Sequence, residues 1–176
     1  MKSQDFDKIY KNVPQDQKEM LKEFRASHPY KELDINGSCW RYISCGHGSK
    51  TLLFLPGGFA KADMWFYSIL ALEKDYRIIA PDAYTLQGTF AMGDVCCAIL
   101  EIQGSFVFKP EVLQSWPGKI LILSSKDDKL SIVSIEELKV RYPRAKMHIF
   151  EQGGHHTFSL FPEEYSSVIR DFLKKE

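Results

Sequence analysis

Four short apolar runs, spread through the chain and separated by segments of helical or loop pattern, constrain the fold most strongly. They are TLLFLP, RIIAP, KILIL and MHIF. Continuous apolar runs of this length are typical of strands that are covered on both faces. Since helix-length segments lie between several of them, the pattern predicts a parallel sheet packed against helices.

The segments before the first apolar run predict an antiparallel entry into this sheet. KELDIN and CWRYIS alternate polar and apolar residues, and Asn36-Gly37 between them is a strong signal for a hairpin turn. With these two strands added, we predict an α/β fold with a mostly parallel sheet of about six strands. It carries an N-terminal antiparallel hairpin and helices on both faces.

Local signals place the ends of several helices. Pro14 precedes an amphipathic stripe in a polar helical lead-in over residues 1–29. Asp63 stands where it would cap the segment DMWFYSILALEK, and Ser134 with Glu137 forms a capping box. The segment MGDVCCAILEIQ also has a helical pattern.

Length and charge narrow the classes of function. The chain has 176 residues, which predicts one domain over 1–176, and its 23 basic residues balance 23 acidic ones. A neutral chain has no field that attracts nucleic acid or an anionic membrane. The four cysteines match no disulfide framework, and neither a signal peptide nor a membrane span is apparent. We therefore expect a cytoplasmic protein with no nucleic-acid or membrane partner.

Two loops that follow predicted strands carry titratable side chains. Asp127 and Asp128 follow KILIL, and His155 and His156 follow MHIF. Because the carboxyl ends of parallel strands meet at one edge of a sheet, an aspartate and a histidine from these loops can hydrogen-bond. The carboxylate would then fix the imidazole tautomer and raise its basicity. The alternative is that the aspartates only cap the next segment and the histidines are ordinary polar loop residues.

A third loop, PGGFAKAD, follows the TLLFLP run. Gly57 and Gly58 leave backbone N–H groups free to face a developing oxyanion, although a tight turn needs glycine whatever the function. The sequence contains neither GxGxxG nor GxxxxGK[ST], so a nucleotide cofactor is not expected.

Metal ligands are present but not in a recognised spacing. The candidates form two groups, one in the strand-end loops and one near the hairpin: Asp127, Asp128, His155 and His156; Cys39, Cys45 and His47. Neither group has paired C-x2-C or HExxH spacing. The sequence therefore predicts no cofactor and no metal site, with metal binding kept as a minority interpretation.

In this order, the motifs resemble the α/β-hydrolase superfamily. FLPGGFAKADMWFYSILAL is similar to the family's strand, oxyanion loop and first helix, with Pro56-Gly57 in place of the usual His-Gly. RIIAPDAYTLQGT and the stretch from KILILSSKDDKL to the terminal helix also match the motif order. The resemblance implies that Asp128 is the acid and His155 the general base, and that Gly58 or Phe59 gives an oxyanion N–H. It also implies a small-molecule substrate with an ester, amide or related acyl bond.

The family's serine nucleophile has no counterpart in the sequence. GxSxG is absent, and about 90 residues would be needed for the strand, helix and lid that normally separate these motifs. The apparent junction lies near 104–106, and RIIAP and KILIL could become neighbours where the strand of the nucleophile would otherwise run. Ser105 lacks a strand before it and a helix after it, and Cys96 and Cys97 lie in a helical pattern typical of buried cysteine.

Two functional interpretations follow from this shortened motif set. The first is a hydrolase that keeps the oxyanion loop, acid and base, for which efficient acyl-enzyme chemistry is not expected. The second is a non-catalytic binding or scaffold protein that uses the hydrolase-like pocket or the seam. The loss of central strands would leave an exposed apolar seam, so we also expect a tendency to form a homo-oligomer.

Overall fold

The computed structural model describes residues 3–55, 61–82, 117–131 and 133–174. The chain divides into two compact units, residues 1–87 and 88–176, and each is described by itself. The single domain over 1–176 stays a prediction. The segment MGDVCCAILEIQ and the apparent junction near 104–106 lie outside the described residues.

The described residues of the first unit form helices, a hairpin and two further strands. Its elements in chain order are α1 (Ser3–Ile9), α2 (Gln15–Ser27), β1 (Lys31–Ile35), β2 (Ser38–Cys45), β3 (Thr51–Leu53), a 3-10 turn (Ala62–Trp65), α3 (Phe66–Leu72) and β4 (Arg77–Pro81). The helix predicted after Pro14 is therefore present as α2.

The strands of this unit form one mixed sheet in the order β1-β2-β4-β3. The predicted hairpin is confirmed, because β1 and β2 are antiparallel with Ile35 opposite Ser38. Asn36 and Gly37 have φ angles of 54° and 78°. Positive φ at both central residues is the geometry of the two-residue turn whose twist matches that of the strands.

The core of the first unit includes residues of β4 and α3. Ile78 and Ala80 on β4 and Ile69 and Leu72 on α3 are fully buried. The buried residues of β4 alternate with Arg77 and the less buried Ile79, so this strand buries one face more completely than the other.

Two expectations about the apolar runs are wrong. The TLLFLP run is not covered on both faces, because Leu53 is 60% exposed and Leu55 is 66% exposed. Its strand, β3, lies at the end of the sheet as far as the structure describes it. RIIAP lies in β4 with β2 on one side and β3 on the other, so it has no free edge at which KILIL could pair.

The predicted cap at Asp63 is also wrong. Trp65 occupies the N-cap position of α3, and no side chain caps that helix. Asp63 instead accepts a hydrogen bond from Arg25 Nε at 2.8 Å. Arg25 on α2 thus binds the Asp63 carboxylate, which the local sequence pattern had assigned to the N-terminus of the helix.

The described residues of the second unit form two parallel strands and three α-helices. Its elements are β5 (Leu121–Ser125), α4 (Ile135–Arg141), β6 (Lys146–Phe150), a 3-10 turn (Gly154–His156), α5 (Thr157–Leu160) and α6 (Pro162–Lys174). The N-cap half of the predicted capping box is present, since Ser134 Oγ accepts a hydrogen bond from the N–H of Glu137 at 3.1 Å. The Glu137 carboxylate instead accepts a hydrogen bond from Arg141, one turn further along the helix. At the end of β6, Phe150 is buried and its ring lies near those of Phe161 and Tyr165.

Six strands are described, and they form two sheets. One is a mixed sheet of four strands and the other a parallel sheet of two. Two of the strand pairings are antiparallel and two are parallel. The α/β class agrees with the prediction, whereas a single mostly parallel sheet is not what the described residues form.

No helix within the described ranges has the length and apolar character needed to cross a bilayer.

A buried ion pair fixes the strand end that leads into the Pro81-Asp82 loop. Asp82 is 2% exposed, and its Oδ2 accepts hydrogen bonds from Arg41 at 3.0 and 3.3 Å. Its Oδ1 accepts the N–H of Ala62 at 2.8 Å. Arg41 also lies over the ring of Tyr30, 4.4 Å from the centroid. Asp82 therefore ties β2, β4 and the start of the 3-10 turn together.

Replacement of this carboxylate is expected to destabilise the protein. Asp82→Ala leaves Arg41 and the N–H of Ala62 without their acceptor, and we expect a loss of about 3 kcal/mol in the free energy of unfolding. Urea-induced unfolding measures it. The control is Asp7→Ala, which breaks an exposed pair with Lys22 and should cost less than about 1 kcal/mol. Equal losses in the two variants would contradict the assignment.

Candidate active site

Two parallel strands bring the predicted acid and histidine loops to the same edge of the sheet. Ser125 at the end of β5 is in register with Phe150 at the end of β6. The N–H of Lys126 donates to the carbonyl of Phe150 at 3.0 Å, which continues the pairing one residue beyond β5. The loops of residues 126–131 and 151–156 therefore start side by side.

Asp128 and His155 are in direct contact across these loops. His155 Nδ1 lies 3.0 Å from Asp128 Oδ2. The other carboxylate oxygen, Oδ1, accepts the N–H groups of Leu130 and Ser131 at 2.9 and 3.2 Å. Both oxygens are thus engaged, and the orientation of the carboxylate is set by its own loop.

This contact leaves the second ring nitrogen of His155 available. When the neutral ring donates its Nδ1–H to Asp128, Nε2 carries the lone pair. Within the described part of the chain Nε2 has no hydrogen-bond partner, and the side chain of His155 is 56% exposed. The arrangement is that of a histidine base held by a carboxylate.

The environment of Asp128 keeps its carboxyl group ionised. Burial acts to raise its pKa, but the hydrogen bond and charge of His155 and the N–H groups of Leu130 and Ser131 together hold the pKa below the ordinary aspartate value. Asp128 therefore remains a negatively charged partner for His155 throughout the neutral range.

Asp127 has a different role from its neighbour. Its Oδ1 accepts the hydroxyl of Ser125 and the N–H of Gly154, the latter at 2.8 Å. Its Oδ2 lies 3.3 Å from the N–H of Gly153. The Ser125 hydroxyl and these N–H groups lower the pKa of Asp127. Asp127 thus anchors the histidine loop to the end of β5.

Glycine is required where Asp127 holds the loop. Gly153 and Gly154 have φ angles of 123° and 54°. A Cβ on Gly153 would lie 2.9 Å from Thr157 Cγ2 and 2.9 Å from the ring of Phe161. The sequence showed two glycines and two aspartates, but only the fold reveals that these glycine N–H groups face Asp127 rather than Asp128.

The remaining candidates are placed as follows. His156 is exposed and makes an edge contact with the ring of His155, but its ring has no carboxylate partner among the described residues. Ser125 is 4% exposed and its hydroxyl donates to Asp127, so it supports the loop and does not face solvent as a nucleophile. The other predicted groups lie outside the described residues, namely Gly58, Phe59, Cys96, Cys97 and Ser105.

A cleft in the second unit lies at the other end of the strands. It has a volume of about 390 Å³ and is lined by residues that precede β5 and β6, among them Lys119, Ile120 and Arg144. Because Asp128 and His155 follow the same strands at their carboxyl ends, this cleft does not belong to the candidate site.

Among the described residues, one group of potential metal ligands occurs, and it lies in the first unit. His28, Cys45 and Glu73 each offer one ligand atom, and these atoms lie within 4.8 Å of one another. Burial, together with the negative charge and hydrogen bonding of Glu73, raises the pKa of the Cys45 thiol to about 12. The sequence pointed to Cys45 only beside Cys39 and His47, and did not associate it with His28 or Glu73.

Comparison with known proteins identifies the architecture. No protein-family model and no curated protein matches the sequence. Among solved structures, a bacterial membrane phospholipase A superposes with a TM-score of 0.72 and 12% identity, over 88% of this chain and 90% of that one. A serine hydrolase involved in carbazole degradation superposes with a TM-score of 0.67 and 13% identity, over 85% of this chain and 100% of that one. A carboxylesterase from Bacillus subtilis superposes with a TM-score of 0.65 and 12% identity, over 90% of this chain and 97% of that one.

The chain has an α/β-hydrolase-like fold. The resemblance inferred from the motif order is therefore confirmed at the level of the fold. Sequence identities of 12 and 13% extend the likeness no further than architecture. The roles of Asp128, His155, Gly58 and Phe59 stay predictions.

Loss of the anchor at Asp127 is expected to release the histidine loop. In Asp127→Ala the N–H groups of Gly153 and Gly154 lose their acceptor, so amide hydrogen exchange across residues 151–156 should accelerate. Mass-spectrometric hydrogen exchange measures this change.

A matched control spans the same two loops. Lys126 Nζ and Glu151 Oε1 form an exposed pair at 2.6 Å, and Glu151→Gln should leave the exchange of residues 151–156 unchanged. If both variants accelerate exchange equally, Asp127 is not the anchor.

Proposed function

We propose that the protein hydrolyses an ester or a related acyl bond, with His155 as general base and Asp128 as the residue that orients it. The observation that carries the proposal is the 3.0 Å contact between His155 Nδ1 and Asp128 Oδ2 at adjoining strand ends. It occurs in a fold shared with a carboxylesterase and a serine hydrolase.

The proposed reaction uses the exposed nitrogen of His155. Nε2 takes a proton from the attacking oxygen as that oxygen bonds to the acyl carbon, and the carbonyl oxygen becomes an oxyanion. Asp128 stabilises the imidazolium formed in this step. When the tetrahedral intermediate collapses, the bond to the leaving oxygen breaks and His155 returns the proton to it. The family resemblance assigns the oxyanion contact to the N–H of Gly58 or Phe59.

We further propose that water is the attacking group. The sequence contains no GxSxG motif, and Ser125, at the end of β5, has its hydroxyl committed to Asp127. Direct attack by water forms no acyl-enzyme, so the rate should be orders of magnitude below that of an enzyme with a complete triad. Activated esters with good leaving groups are the substrates on which such a rate is measurable.

The two neighbouring histidines provide a sharp test. Hydrolysis of p-nitrophenyl acetate by the purified full chain should fall by at least about 100-fold in His155→Ala, because the base is lost. The control His156→Ala removes an adjacent exposed ring without a carboxylate partner and should retain activity within about twofold. Asp128→Asn should also reduce the rate, since it weakens the orientation and stabilisation of the base.

The outcome separates three cases. Activity that depends on His155, without labelling by a fluorophosphonate probe, supports attack by water. Labelling by the probe would show that the nucleophile is a serine and not water. Wild-type protein with no more activity than free imidazole at the same concentration would overturn the proposal and support a non-catalytic binding role.

A further inference from the structure

Three side chains of the first unit converge from separate elements. His28 follows α2, Cys45 ends β2 and Glu73 follows α3. One nitrogen, one sulfur and one carboxylate oxygen lie within 4.8 Å of one another. Because the residues are far apart in sequence, no short spacing motif announces the group.

Two glycines permit the close approach of Cys45 to Glu73. Gly46 has a φ angle of 69°, and a Cβ there would lie 2.1 Å from the carbonyl oxygen of Tyr76 and 2.8 Å from that of Glu73. A Cβ on Gly48 would lie 2.0 Å from the carbonyl oxygen of Asp75. The chain after β2 therefore packs closely against the backbone of residues 73–76. A side chain at either glycine position would prevent this close packing.

Contacts at Nδ1 and at one face of the ring set the orientation of His28. Its Nδ1 lies 3.1 Å from the carbonyl oxygen of Phe24 and 2.9 Å from Ser27 Oγ, and its ring stacks on that of Phe24 with centroids 4.3 Å apart. Histidines that bind metals typically donate their other ring N–H to a backbone carbonyl or a carboxylate, which fixes the tautomer. The Phe24 carbonyl provides such an acceptor.

The second ring nitrogen of His28, Nε2, faces the carboxylate of Glu73. His28 Nε2 lies 2.7 Å from Glu73 Oε2. If Nδ1–H donates to Phe24, Nε2 and the carboxylate oxygen face each other as two acceptors, so a proton or a metal ion must lie between them. Cys45 adjoins the same position and also interacts with Glu73.

We propose that His28, Cys45 and Glu73 bind one divalent transition-metal ion, for which zinc is the best match. Imidazole nitrogen, thiolate and carboxylate oxygen are all established zinc ligands, and three protein ligands leave a fourth position for water. The side chain of His28 is 8% exposed and that of Glu73 24% exposed, so the site is sheltered from solvent yet reachable.

Metal binding here exchanges protons for the ion. The thiol proton of Cys45, and the proton between His28 and Glu73 where present, pass to solvent as the three ligand bonds form. The negative charge of Glu73, which disfavours a free thiolate at Cys45, is balanced by the bound cation. Small movements bring atoms within 4.8 Å to the ligand separations of a tetrahedral site.

Cobalt(II) and zinc(II) are the probes for the test, which uses the purified full chain. We expect one equivalent of cobalt to bind and to give the near-ultraviolet absorption of a thiolate–cobalt bond. Zinc should displace cobalt and raise the melting temperature. Cys45→Ser should abolish the thiolate absorption and weaken zinc binding by at least about tenfold, and Glu73→Gln should also weaken it.

Substitutions of the other three cysteines are matched controls for Cys45→Ser. Cys39→Ser alters a second cysteine of β2, and Cys96→Ser with Cys97→Ser removes the other two, so both proteins should keep the wild-type absorption and affinity. Far-UV circular dichroism and urea unfolding establish that each variant is folded. Glu73→Gln provides a second test should Cys45→Ser fail to fold.

The proposal is overturned if folded wild-type protein shows no saturable cobalt or zinc binding. It is also overturned if the thiolate absorption persists in folded Cys45→Ser. In either case the three residues form a hydrogen-bonded cluster without a metal function. None of these measurements uses ester hydrolysis, so they are independent of the function proposed for His155.

Discussion

The carboxylate of Asp127 is the contact on which the candidate site depends. It receives the N–H groups of Gly153 and Gly154 and the hydroxyl of Ser125, and so joins the loops after β5 and β6. Asp128 lies next to it on one loop, and His155 follows Gly154 on the other. A pair of side chains on separate loops keeps a 3.0 Å contact only if the loops themselves are held, and Asp127 is suited to hold them.

Local chemistry explains which parts of the fold were predictable from sequence. The hairpin turn at Asn36-Gly37 and the helix N-cap at Ser134 depend on residues within four positions, so the pattern alone determines them. Asp63 failed as a helix cap because Arg25, on another helix, binds it instead. The exposure of Leu53 could not be predicted either, since it depends on which strands flank β3.

The same distinction applies to the candidate sites. The contact of Asp128 with His155 was predictable, because parallel strands place their following loops at one edge and each loop carries few titratable groups. The cluster of His28, Cys45 and Glu73 was not, because it depends on the close approach of the chain at Gly46 to the backbone of residues 73–76. Sequence patterns report strand ends well, but they report contacts between distant turns poorly.

Two adjacent aspartates show how position decides function within one loop. Both carboxyl groups have lowered pKa values, so both favour the native state above the ordinary aspartate pKa and lose that contribution as the pH falls through their folded-state values. Asp127 is directed to backbone N–H groups and a hydroxyl, which do not titrate near neutral pH. Asp128 is directed to the imidazole ring of His155. Under the proposed mechanism, Asp127 therefore holds the two loops together through groups that take no part in proton transfer, while Asp128 alone contacts the ring of His155.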